Sequence, residues 1–289
     1  MKAFVWLALA APLFFDDFSH PGLEGLLGHG WTLRELAGHP GVPGARWAPD
    51  GVTLVDDPER HGNRLLRLQA QTDGTPAGTR QAQLCHQRKL LRGTYAARVR
   101  FTDTPAAGAD GDPVIQAFYA ISPLQHDLDP SFSETDFEYL PNGGWGSGQT
   151  RLYAISWQTV QIEPWRAFNS AHEAPGSHAG WRVLTIQVEE TKVRHFIDGR
   201  LLAEHGGRNV PTVPMSMNLS LWFSPGGLLP AGNEPRRWVL DVDWVFHAAG
   251  AQLAPAAVLS EVSRLRAHKR FAVDTVRAPE PALASPCRL

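Results

Sequence analysis

Before residue 250 the apolar residues of this chain recur at every second position in short runs, and almost never at helical spacing. Period two places successive side chains on opposite faces of an extended strand, so each run has one face to bury and one to leave free. Twelve runs of this kind are readable, at 13–18, 51–55, 65–71, 81–86, 93–102, 114–122, 134–140, 149–157, 182–189, 193–197, 214–223 and 237–246. Clusters of Gly, Pro, Asp and Asn separate them, drawn from 27 glycines and 23 prolines spread along the chain. Many short strands with turn signals between them predict an all-β sandwich or barrel.

Two runs show the pleat clearly. In PMSMNLSLWF, Met215, Met217, Leu219 and Leu221 alternate with Ser216, Asn218, Ser220 and Trp222, which gives one core face and one polar face ending in a large aromatic. In VRHFIDGRL, Asp198-Gly199 is the dipeptide of a type I′ hairpin turn. The tail differs. From Pro255 onward Val258, Leu259, Val262 and Leu265 fall on one helical face, which predicts an amphipathic helix. The Pro-rich end, 278–289, is expected to be mobile.

An apolar fraction of 43% supports a buried core, and a net charge of −2 lacks the basic excess of a nucleic-acid protein. No run approaches the roughly 18 apolar residues of a membrane span, and a monomer is expected. The start, MKAFVWLALAAP, has a basic Lys2, an apolar stretch and an Ala8-Leu9-Ala10 cleavage pattern. It reads as a short secretory signal peptide over 1–11, which makes the protein extracellular; a buried first strand is the alternative. Cys85 and Cys287 match neither a metal site nor a disulfide scaffold. Cys85 lies in a strand-like run and reads as a small buried apolar residue in preference to a partner for Cys287. No H-E-x-x-H or G-x-S-x-G motif is present.

The run SETDFEYL carries Glu134, Asp136 and Glu138 on one strand face, with Thr135, Phe137 and Tyr139 on the other. Like charges stacked two apart repel, and no cation is interleaved to relieve them. The outer Cα atoms of such a strand are roughly 13 Å apart. Glutamates leaning inward approach the gap of about 5–5.5 Å at which a carboxylate pair cleaves glycosides with retention. Crowding raises at least one pKa, which suits a general acid near neutral pH.

At these residues the chain resembles family 16 of the glycoside hydrolases, whose pattern E-[ILVT]-D-[IF]-E reads here as ETDFEYL, without the extra residue found in laminarinases and agarases. Further blocks fit in order: LFFDDF, GTYAARVRF, VIQAFYAIS, GWRVLTIQVEETKVRHFIDGRLL, PMSMNLSLWF and LDVDWVFH. The resemblance implies a jelly-roll sandwich of two curved antiparallel sheets over 12–249, with a partly helical C-terminal extension at 250–289. It implies a retaining, endo-acting enzyme on a β-linked polysaccharide, with β-1,3- or β-1,3-1,4-glucan as the default substrate. Glu134 would be the nucleophile, Glu138 the acid/base, and Asp136 the group between them. A transglycosylase on a cell-wall glycan and a non-catalytic carbohydrate-binding protein are the alternatives.

The resemblance also points to the remainder of a cleft. Trp222 falls where members stack a sugar, and Tyr119 where they often carry Trp. Trp145, after a Pro-Asn-Gly-Gly turn, would rim the cleft, and Trp157 and Trp165 flank the next loop. Lichenase-type members have Asn where this chain has Ser220, with Asn218 one pleat earlier, and Trp where it has Phe132. Catalysis needs no cofactor. A structural Ca²⁺ is implied, with Asp243 in the last strand as the matching ligand.

Overall fold

Residues 11–288 are described by a computed structural model. The expected signal peptide lies almost wholly outside them. The strands form two layers. The first runs, edge to edge, Val52–Asp56, Arg64–Thr72, Arg236–Ala249, Gly93–Phe101, Gly180–Val188, Lys192–Ile197 and Arg200–Gly206, all antiparallel. Leu13–Asp16 and Ala272–Asp274 extend it beside the C-terminal half of Arg236–Ala249. The second layer runs Thr32–Leu33, Arg80–Cys85, Ser216–Phe223, Val114–Ile121, Glu134–Leu140, Arg151–Gln161 and Arg166–Pro175, also antiparallel. Arg80–Cys85 belongs to both layers, because Arg80 pairs with Gln71 while residues 82–85 pair with 218–221.

The inner faces meet in one core. Phe137, Tyr139, Met217, Leu219 and Leu221 from the second layer pack with Tyr95, Ala97, Val99, Leu240 and Val242 from the first. The Phe101 and Tyr139 rings, 4.9 Å apart between centroids, join the layers directly. These are the residues that the alternation assigns to the core, so the all-β sandwich follows from burying the apolar face of each run. Asp198 and Gly199 both have positive φ, at 48° and 79°, as a type I′ turn demands.

The expected C-terminal helix is present as Pro255–Ala267. Val258, Val262 and Leu265 pack on Phe15, Ala96, Trp244 and Phe246, on the outer side of the first layer. Leu259, expected on the same face, points to solvent at 44% exposure. Its position one residue after Val258 turns it about 100° away from the buried stripe. Three features went unread in the sequence: the strand Arg166–Pro175, the strand Arg200–Gly206 beyond its turn, and the short helix Leu23–Gly28.

The cysteine expectation is corrected. Cys85 and Cys287 form a disulfide, with Cα atoms 5.9 Å apart across 202 residues of sequence. The end of the chain is therefore pinned. Leu283 bridges to Arg88, and Pro286–Arg288 forms a 3-10 turn around the buried Cys287. The expected mobile tail is anchored because its last turn docks on Arg80–Cys85.

Candidate active site

Residues directly opposite in a ladder share a face, so the register maps the surface around the acids. Tyr153, Glu138, Ala117, Ser220 and Gln83 form one row across five strands. Ile155, Asp136, Tyr119, Asn218 and Cys85 form the next. Trp157, Glu134, Ile121 and Ser216 form the third. All three acids therefore lie on the outer face of the second layer, opposite to Phe137 and Tyr139. Behind them Thr135 points inward, and its Oγ1 lies 2.9 Å from Nε2 of the buried His195.

Glu134 and Glu138 are half-buried, and Asp136 is buried at 3% exposure. Among the described residues none of the three forms a salt bridge. Burial pushes the Glu138 carboxyl up to about 7, with a hydrogen bond from Trp145 pulling the other way. Burial, and next the charge of Glu138, push Glu134 well above the ordinary carboxylate range. Asp136 is raised strongly by burial and then by both neighbours, against the hydrogen bond from Trp157. Three acids that resist ionising together at neutral pH make a site able to hold and release protons.

The indole N–H groups supply the fixed donors. Trp145 Nε1 donates to Glu138 Oε2 at 2.9 Å, and Trp157 Nε1 donates to Asp136 Oδ2 at 3.0 Å. Asp136 Oδ1 is buried without a partner. Trp145 has φ 51°, a left-handed conformation uncommon outside glycine, between Gly144 and Gly146. The turn before it requires glycine, since a Cβ on Gly143 would come within 2.4 Å of the Ser147 carbonyl.

The structure gathers most of the expected cleft residues, in altered roles. Trp145 is 44% exposed and lies 5.8 Å from Trp222, ring to ring. Trp222 is on the expected face yet only 5% exposed, beneath Trp145. Trp157 is half-buried and lies 6.3 Å from the exposed Trp165. Tyr119 flanks Asp136, and Asn218 and Ser220 are fully enclosed at 0% and 2% exposure. Asn218 turns its side chain onto Ser216.

Three further residues enter from a segment with no strand signal. Arg34 stacks on Trp47 at 4.2 Å, Trp47 packs in the cluster of Tyr119, Tyr153 and Trp222, and the His39 ring lies 5.5 Å from Trp165. Trp47 was detectable only as one of ten tryptophans. The fold, not local pattern, delivers it to the acids.

Asp243 does not fit the calcium expectation. Its carboxylate accepts hydrogen bonds from Asn63 at 2.9 Å, Arg98 at 2.8 Å and Arg266 at 2.8 Å. Two guanidinium groups already neutralise it, and a divalent cation there would face their charge. Among the described residues no group of three or more His, Cys, Asp or Glu side chains is arranged to hold a metal. Among them, too, no helix is long and apolar enough to cross a membrane.

No family model matches the chain, and no curated protein matches its sequence. Solved structures do match its fold. A β-glucanase of Bacillus licheniformis superposes with a TM-score of 0.59 at 13% identity, covering 82% of this chain and 98% of that one. A glycoside hydrolase family 16 endo-glucanase from Bacteroides ovatus gives 0.59 at 13% identity, over 80% and 98%. A 1,3-α-1,4-β-D-galactose-4-sulfate-3,6-anhydro-D-galactose 4 galactohydrolase gives 0.53 at 14%, over 86% and 99%. The chain thus has the jelly-roll sandwich fold seen in family 16 glycoside hydrolases.

Proposed function

We propose that the protein is a retaining glycoside hydrolase acting on a β-linked polysaccharide. The observation that carries this reading is the row of Glu134, Asp136 and Glu138 on one outer strand face, enclosed by tryptophans and unpaired with any cation. A lectin of the same architecture has no use for three crowded carboxyls whose ionisation is suppressed.

The three carboxyls divide the chemistry. Asp136 is the most buried, so it is the costliest place for a charge and the natural holder of a proton. Its free Oδ1 offers that proton to a neighbouring carboxylate, which keeps Glu134 ionised. Glu134 attacks the anomeric carbon as Glu138 gives its proton to the departing glycosidic oxygen, leaving a glycosyl ester on Glu134. Glu138, now a carboxylate, takes a proton from water. The hydroxide oxygen displaces Glu134 from the sugar, which restores the starting state. A Glu138 pKa of about 7 suits a group that must both give and accept a proton near neutral pH.

The names of the similar structures favour a β-1,3- or β-1,3-1,4-glucan. The fold also carries a galactan-cleaving enzyme, so the sugar rests on subsite contacts. The Cys85–Cys287 bridge supports an oxidising location, in keeping with export. The test is a screen of laminarin, lichenan, xyloglucan, agarose and carrageenan with wild type and with Glu134→Gln. Cleavage with retained anomeric configuration that falls by several orders of magnitude in the variant is expected. Cleavage that persists in Glu134→Gln overturns the assignment.

A further inference from the structure

One half of the outer face beside the acids is roofed over. We infer that this makes the site a pocket for the end of a glycan chain, in place of a groove open in both directions. The inference rests on the reading of the site as a glycosidase, and it departs from the endo-acting expectation drawn from resemblance.

The register shows the asymmetry. On the side of Arg166–Pro175, the residues opposite Trp157, Ile155 and Tyr153 are Asn169, Ala171 and Glu173, and all three are exposed. On the other side the same rows pass through Tyr119, Asn218, Ser220 and Gln83, which are 8%, 0%, 2% and 4% exposed. These are outward-facing polar positions that an open sugar groove would leave to solvent.

The cover is identifiable at each outward residue of Arg80–Cys85. Gln81 Oε1 accepts from the Val42 amide at 3.3 Å, and Gly41 sits so close that a Cβ there would fall 2.4 Å from the Gln81 amide nitrogen. Gln83 Oε1 accepts from Arg34 at 2.9 Å. Cys85 is covered by its disulfide partner Cys287. Arg34 stiffens the roof, since it also donates to the carbonyls of Leu36 at 3.0 Å and His39 at 2.9 Å. Two cationic or apolar layers thus close one direction, while Trp145–Trp222 and Trp157–Trp165–His39 wall the two ends of the acid row. The buried Ser216–Phe223 strand lies two strand spacings from the acid strand, about 10 Å. That distance leaves room for a very short stretch of sugar on the roofed side and for a long chain on the exposed side.

The experiment follows a polymer from the screen whose cleavage depends on Glu134, recording viscosity and new reducing ends together. End-on action releases short products from the first time points, and viscosity falls slowly while reducing ends accumulate. Rapid viscosity loss ahead of reducing ends, with long intermediate fragments, overturns the pocket and leaves the glycosidase reading standing. Absence of Glu134-dependent cleavage on every polymer overturns both. Cys287→Ser unpins the tail. In that variant, viscosity loss per bond cut is expected to rise several-fold, while turnover of a small aryl β-glycoside, which needs no roofed subsite, stays at the wild-type level. Unchanged viscosity loss per bond in the folded variant removes the tail from the roof and overturns its assignment. The wild-type time course decides the pocket even where the variant fails to fold.

Discussion

Replacing Trp145 with Phe should move the alkaline limb of the pH–rate profile upward. The indole N–H donates to Glu138 Oε2 at 2.9 Å, and a donor to a carboxylate favours its charged form. Loss of the donor disfavours ionisation, so the pKa rises. A hydrogen bond to a charged group contributes about 1.5–3 kcal/mol, and the half-exposed position of Trp145 argues for the lower end. About 1.5 kcal/mol corresponds to about one pKa unit. Phe keeps most of the ring that shields Glu138, so the desolvation that raises the carboxyl changes little. A proton donor loses activity as pH rises through its pKa. The limb set by Glu138 should therefore shift from about 7 to about 8 in Trp145→Phe. The assay is kcat/KM against pH for an aryl β-glycoside with a poor leaving group, whose departure needs the acid. A second substrate with an activated leaving group should show a much weaker dependence. A limb that stays in place, or moves to lower pH, refutes both the role of Glu138 and the significance of the Trp145 contact.

Other outcomes follow from the same geometry. Glu138→Gln should abolish turnover of poor leaving groups and raise the midpoint of thermal unfolding, because one member of a repelling set is neutralised; a lowered midpoint by calorimetry counts against the crowding argument. Trp222→Ala should cost about 3–5 kcal/mol in urea unfolding, since the ring is buried beneath Trp145 and not presented to sugar; a stable variant with weakened oligosaccharide binding restores it as a stacking surface. Arg266→Ala should cost about 3 kcal/mol by leaving Asp243 with Arg98 and Asn63 alone. Burial pushes the Asp243 carboxyl up, but Arg266, Asn63 and Arg98 together outweigh it and hold it below the ordinary value. That stabilisation is present at neutral pH and is lost as pH falls through the depressed pKa, so the gap between variant and wild type should close in acid.

Much of the molecule was written in local alternation. The pleat of SETDFEYL put three acids on one face and Phe137 and Tyr139 in the core, and no packing arrangement of that strand could do otherwise. The Asp198-Gly199 turn and the helix from Pro255 were likewise determined by residues close in sequence. Arg166–Pro175 was not, because an edge strand exposed at eight of its ten residues buries no apolar face and leaves no periodic trace; only backbone pairing with Arg151–Gln161 makes it a strand. The same limit applied to every contact between distant segments. Cys85 meets Cys287 across 202 residues, Arg266 meets Asp243, and the loop carrying Arg34, Gly41 and Trp47 lies over a strand that it never resembles. Local pattern decides which way a side chain faces, but what it faces is decided when separate segments bury each other. The sequence therefore determined the acid row, and only the tertiary structure decided how much of a sugar chain that row can reach.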